Sequence, residues 1–179
     1  MNKALFLDRD GVVNVDNGYV HDITSFHPMP QIFELCQKAI SQDYIVIIVT
    51  NQAGIGRGFY SEEHFHRFTK RVEKLFLSNN VLISKTYYCP HHPQHGLGQY
   101  KKKCGCRKPA PGMFHLAKRE FSIDMKNSIM IGDNISDLQA ANSSGVGTLI
   151  LVELIKASLN TTFKYNKISS LDEAIQFIY

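Results

Sequence analysis

The chain has 179 residues, 44% apolar and 20% charged, values of a folded globular domain that exclude a disordered or low-complexity chain. Twenty Lys and Arg against sixteen Asp and Glu leave a net charge of +4, which suits a small anion as well as nucleic acid and selects neither. No apolar run is long enough to span a bilayer and no export-signal pattern opens the chain. The expectation is therefore a soluble cytoplasmic protein whose four thiols (Cys36, Cys89, Cys104, Cys106) are free or metal-bound, not paired.

The elements follow in chain order. Lys3–Leu7 is a short apolar strand. Pro30 opens a helix on which Ile32, Leu35, Cys36, Ala39 and Ile40 share a face, with Cys36 expected in the core. The β-branched run Tyr44–Val49 predicts a strand covered on both faces. Ser61, with Glu62 and Glu63, starts a helix carrying Phe65, Phe68, Val72 and Leu75 inward. Lys85–Tyr88 is a weaker strand, and Pro111 opens a helix with Phe114, Ala117 and Phe121. Ser128–Ile131 and Thr148–Val152 read as strands around a helix at 136–143. Residues 154–168 carry the least pattern and read as an irregular connection. Ser170 to Glu173 forms a capping-box pattern opening a last helix. The alternation predicts one α/β domain over residues 1–179 with an open, mostly parallel sheet in three layers.

Polar punctuation falls repeatedly at strand ends, where open α/β sheets bind ligands. The first strand runs into Asp8-Arg9-Asp10-Gly11. Two carboxylates so close are tolerable if a cation lies between them or one stays protonated. With Mg²⁺ present, Asp8 can attack as a nucleophile while Asp10 shuttles a proton. The second strand stops at Thr50-Asn51-Gln52-Ala53-Gly54, whose hydroxyl and exposed N–H groups suit a phosphate. The fourth ends in Gly132-Asp133-Asn134-Ile135-Ser136-Asp137. Asp133 offers a further Mg²⁺ ligand, while Asp137 either caps the helix or orients the metal's surroundings. Lys108 can neutralise phosphate oxygens and carboxylates together.

Asp8-x-Asp10-Gly11, Thr50-Asn51, Lys108 and Gly132-Asp133-x-x-x-Asp137 stand in the order of the four motifs of the haloacid dehalogenase-like superfamily, which this sequence resembles from residue 4 to about 152. The resemblance implies a Rossmann-like fold with Asp8 as nucleophile and Asp10 as general acid and base. It implies Thr50 and Lys108 as phosphoryl-binding groups, with Mg²⁺ on Asp8, the Asp10 carbonyl and Asp133. An acid two residues after the nucleophile marks the phosphatases and phosphomutases of that superfamily.

Cys89-x-His91 and Cys104-Gly105-Cys106, twelve residues apart, offer the Cys₃His donors of a structural Zn²⁺ site within a loop at 89–106. His92 and His95 are rival ligands. Lys101, Lys102, Lys103, Arg107 and Lys108 are expected to lower the thiol pKa values. Because Cys106 leads directly into Arg107-Lys108, a metal there would fix both cations beside the site.

This zinc loop is similar to that of the D,D-heptose 1,7-bisphosphate and histidinol-phosphate phosphatases, and the first match extends further. Val15 to His21, Asn51 to Gly58 and Cys106-Arg-Lys-Pro-x-Pro-Gly-Met113 follow its pattern. The resemblance implies substrate contacts from Asp16, Asn17, Gly18 and Tyr19, from Thr50, Asn51, Gln52 and Ala53, and from Arg107. Asn134 stands where many of these enzymes carry Lys, a departure in charge at the phosphate grip, and is expected to contact substrate through hydrogen bonds without a charge. The motif intervals leave no room for a cap domain. The expected activity is removal of the C7 phosphate from the heptose bisphosphate, with a small phosphosugar partner, a monomeric state, and neither nucleic acid nor membrane. The alternatives are another phosphomonoester such as histidinol phosphate, or a zinc-stapled nucleic-acid module without catalysis.

Overall fold

The computed structural model describes residues 1–153 and 161–179. Six parallel strands form one sheet in the order β3-β2-β1-β4-β5-β6. They are β1 (Lys3–Leu7), β2 (Tyr44–Asn51), β3 (Ile83–Cys89), β4 (Ile129–Gly132), β5 (Thr148–Val152) and β6 (Asn166–Ile168). The helices are α1 (Ile32–Ser41), α2 (Ala53–Gly56), α3 (Glu62–Ser78), α4 (Gly112–Phe121) and α5 (Ile135–Ser143).

Side chains alternate across each strand, so a sheet covered on both faces must be apolar at every position. Leu5, Leu7, Val46, Ile48, Ile129 and Ile131 face one core with Leu35, Cys36, Phe68, Val72 and Phe76 of α1 and α3. Ala4, Phe6, Ile47, Val49 and Met130 face the other with Met113, Phe114, Ala117, Leu138 and Ala141 of α4 and α5. These are the three expected layers. Cys36 is core as expected, and burial pushes its thiol up to about 12.

Several expectations need correction. Residues 154–160 of the connection expected to be irregular lie outside the described residues, but its end is the edge strand β6. Its burial pattern hid it: Asn166 and Lys167 are exposed and Ile168 alone is buried. The last helix is a 3₁₀ helix, Leu171–Phe177, and the Ser170 side chain does not cap it. Leu171, Ala174 and Phe177 recur every three residues, the 3₁₀ period. The Glu173 carboxylate accepts from the Ser169 N–H at 3.1 Å and the Ser170 hydroxyl at 3.3 Å, one residue earlier than a capping box requires. The glycine-rich stretch after β2 contains the short α2. Among the described residues nothing forms a separate cap.

Strand order reverses around β1, which has β2 on one side and β4 on the other. The carboxyl ends of β1, β2 and β4 therefore flank a crevice at the switch point.

Candidate active site

A cavity of about 490 Å³ opens at this crevice. Asp8, Asp10, Asp16, Gly18, Tyr19, Thr50, Asn51, Gln52, Ala53, Arg107, Lys108, Asp133 and Asn134 all line it, which brings together nearly every expected site residue. Asn17 is not among the lining residues. Tyr60, Ser136 and Asp137 join the wall as well.

The turn after β1 explains its glycine. The N–H groups of Val13 and Asn14 both return to the Arg9 carbonyl, at 2.8 and 3.0 Å, reversing the chain tightly. Gly11 has φ of +87°, and a Cβ there would come within 2.2 Å of the Asp133 carboxylate. The residue is glycine for both reasons, and its absent side chain lets Asp133 approach the β1 turn.

Carboxylate oxygens of Asp8, Asp133 and Asp137 lie within 4.8 Å of one another. Burial first, then the Asp137 charge, holds Asp8 well above the usual carboxylate range, and the same two causes push Asp133 up to about 6. Such crowding of like charges is relieved by a cation, so these donors fit a hard divalent ion. Asp137 is already engaged on both oxygens. It accepts from the Asn134 N–H at 3.0 Å, completing the capping box of α5, and pairs with Lys108 at 2.8 Å. The two roles weighed for Asp137 thus coexist, because one oxygen caps the helix and the other faces the lysine.

Lys108 is 3% exposed, and its ammonium donates to Asp8 at 2.8 Å, Asp137 at 2.8 Å and the Val49 carbonyl at 2.7 Å. All three N–H groups are used. Burial works to lower its pKa, but Asp8 and Asp137 outweigh it and hold the group above its ordinary value. Asn51 clamps the Lys108 backbone with both ends of its amide, at 3.0 and 3.1 Å. Asn51 therefore positions the lysine from the cavity wall.

Asp10 is gripped from two sides. Arg9 and Asn14 donate to Oδ1 at 3.1 to 3.2 Å, Arg9 also reaches Oδ2 at 2.9 Å, and Gln52 donates to Oδ2 at 3.3 Å. Arg9, itself 3% exposed, lies over the rings of Phe65 and Phe68. Tyr19, at the cavity wall, packs edge-on against Phe59 and takes a hydrogen bond from Arg57. Asn134 spends its side chain on the α5 cap, accepting from the Ser136 N–H at 3.0 Å.

Cys89, His91, Cys104 and Cys106 converge as the spacing predicts, their ligand atoms within 4.8 Å of one another. The three sulfurs stand 3.0 to 3.4 Å apart, too far for a disulfide and close enough to surround one ion. His92 and His95 stay outside, and the His92 ring accepts from the backbone N–H groups of Gln94 and His95. The expected effect of the lysines on the thiols is corrected. Burial raises Cys89 and Cys106, whereas Cys104, which burial also works to raise, is lowered by hydrogen bonds from Cys106 and the Arg107 backbone. The basic neighbour acts on His91 instead: burial and then Lys102 lower its pKa, which favours the neutral, metal-binding ring. Arg107 donates to the His91 carbonyl at 3.2 Å, tying cavity wall to cysteine cluster.

Paired aspartates after β1, a hydroxyl ending β2 and an acid after β4, on a parallel sheet reversed at β1, define an aspartate-based phosphohydrolase of the haloacid dehalogenase-like class. Over residues 9–169 the chain matches the family described as polynucleotide kinase 3 phosphatase. It is 51% identical to the D-glycero-beta-D-manno-heptose-1,7-bisphosphate 7-phosphatase of Vibrio cholerae, across 83% of this chain and 80% of that one. It is 48% identical to the D-glycero-alpha-D-manno-heptose-1,7-bisphosphate 7-phosphatase of Burkholderia mallei, across 84% and 80%. The solved D,D-heptose 1,7-bisphosphate phosphatase of B. bronchiseptica, complexed with magnesium and phosphate, superposes with a TM-score of 0.81 at 26% identity, covering 97% of this chain and 96% of that one. The chain belongs to the heptose-1,7-bisphosphate 7-phosphatase family of this class.

Proposed function

We propose that this protein is a phosphoric monoester hydrolase that removes the C7 phosphate of D-glycero-D-manno-heptose 1,7-bisphosphate. The observation that carries the reading is the Asp8, Lys108 and Asp137 arrangement on the cavity floor, in a chain about half identical to relatives of that name. An Asp8 oxygen attacks phosphorus, the bond from phosphorus to the C7 oxygen breaks, and Asp10 gives its proton to that oxygen. Water then attacks the aspartyl phosphate, Asp10 takes the proton back, and inorganic phosphate leaves with Asp8 restored. Asn51 and Asp137 keep Lys108 beside Asp8. Asp8, the Asp10 carbonyl and Asp133 would hold Mg²⁺, which would neutralise charge on the transferring phosphoryl oxygens.

The remaining phosphate of the substrate is anchored by Arg107 and the loop from Asp16 to Tyr19. Remote anchoring accelerates the reaction by orienting the reacting group. Cys89, His91, Cys104 and Cys106 would hold a structural Zn²⁺, whose task would be to fix Arg107 and Lys108. The chain acts as a single domain and a monomer in the cytoplasm, on a small phosphosugar.

The test is kcat/KM with Mg²⁺ for the heptose 1,7-bisphosphate, the corresponding 7-monophosphate, histidinol phosphate and a 3′-phosphorylated oligonucleotide. The bisphosphate is expected to lead. Faster turnover of histidinol phosphate or of the oligonucleotide would replace the heptose assignment while leaving phosphatase chemistry intact.

A further inference from the structure

We infer that Gln52, keyed by Tyr60, is the positioning residue of the general acid: it holds the Asp10 carboxyl for proton delivery and does not contact the sugar. The inference rests on the reading of Asp10 as proton donor. Gln52 is 2% exposed although it stands at the cavity wall. Its amide nitrogen donates to Thr50 Oγ1 at 2.8 Å and to Asp10 Oδ2 at 3.3 Å, and its amide oxygen accepts from the Tyr60 hydroxyl at 2.7 Å. Its backbone N–H is taken by the Cys89 carbonyl at 2.8 Å. Every hydrogen Gln52 owns is committed within the protein, which leaves none to donate to a substrate.

Tyr60 decides which end of the amide faces Asp10. Its hydroxyl gives a proton to the amide oxygen, which turns the NH₂ toward the carboxylate. Turned the other way, two acceptors would meet at Asp10. Burial pushes the Tyr60 hydroxyl up to about 12, so it remains a donor. The ring is fixed in turn. His21 stacks on it with centroids 4.6 Å apart and planes 14° from parallel. On the loop side, Gly54 makes way: a Cβ there would come within 2.4 Å of the Tyr60 ring and 2.7 Å of its hydroxyl. Arg9 reaches both oxygens of Asp10 and Asn14 holds Oδ1, so Gln52 adds to Oδ2 the one donor that comes from the loop after β2.

A residue acting through the general acid matters in proportion to how much the leaving group needs a proton. A sugar alkoxide needs one, whereas p-nitrophenolate departs without help. Because kcat/KM covers the steps through that departure, the ratio of the two substrates isolates the effect. Any loss through Thr50 falls on both and cancels.

General acid catalysis is typically worth ~10²–10⁴-fold, so Gln52→Leu is expected to lower kcat/KM on the sugar phosphate by ~10–10²-fold more than on p-nitrophenyl phosphate. Tyr60→Phe is expected to shift the same ratio less, and to shift it no further in a Gln52→Leu background. Tyr60→Phe removes one oxygen and carries the test should Gln52→Leu not fold. An unchanged ratio would overturn the inference. So would additive effects of the two changes. Wild-type turnover is read in the same assay. If the heptose bisphosphate is not hydrolysed, the substrate reading fails, and the ratio is taken on the fastest alkyl phosphate instead.

Discussion

Lys108 shows how one side chain can organise several charges. Its ammonium is buried with three acceptors, two of them carboxylates of the catalytic floor. An isolated buried charge is costly, and removing one partner of a buried pair typically costs about 3–5 kcal/mol because the other is left uncompensated. Lys108→Met is therefore expected to lose roughly that much stability in a urea melt without divalent metal. Added Mg²⁺ should restore more stability to the variant than to the wild type, since the cation substitutes for the missing charge. A variant as stable as the wild type in EDTA would show that Lys108 does not hold the carboxylates together. The same crowding is why Asp137, readable from the sequence either as a helix cap or as a group orienting the metal's surroundings, belongs to the site. Its distance to Lys108 depends on how α5 meets the loop after Pro90, which spacing in the sequence does not encode.

At the scale of elements, the segment from Cys89 to Cys106 joins the end of β3 to the cavity wall. Its four donors were legible because thiols and an imidazole at short spacing have few other uses in such a chain. The bond from Arg107 to the His91 carbonyl was not legible, since it depends on the fold of the loop. Metal analysis is expected to find one zinc ion per chain in the wild type and none in Cys106→Ser, which should also melt at a lower temperature. KM should rise more for the bisphosphate than for the monophosphate, as the anchoring proposed for Arg107 requires. Wild-type protein that carries no zinc yet keeps full stability and activity would remove the metal from the account. Neighbouring elements show where pattern stops being informative. The run Tyr44–Val49 announced β2 because both its faces are buried, whereas β6 has one buried residue and no alternation to detect. The last turn carried an apolar spacing of three that a capping signature obscured. Asn134 carried a similar ambiguity. Read by charge it is a missing lysine, yet its side chain and backbone make the reciprocal cap of α5.

At the scale of the whole molecule, topology does most of the assembly. Reversal of strand order at β1 collects Asp8, Asp10, Thr50 and Asp133 from distant parts of the chain onto one edge. These residues were legible as motifs because each ends an apolar strand. Arg9, Asn14 and Tyr60 were not, since their importance lies in which neighbours their side chains meet across the fold. The cavity is polar and flanked by the substrate loop, with no cap among the described residues, which suits a small, doubly charged sugar. The most direct test follows the two phosphorus signals of D-glycero-D-manno-heptose 1,7-bisphosphate by ³¹P NMR as the protein acts with Mg²⁺. The expected result is that the C7 signal is replaced by inorganic phosphate while the C1 signal persists. Loss of the C1 phosphate first, or no phosphate release from wild-type protein, would contradict it.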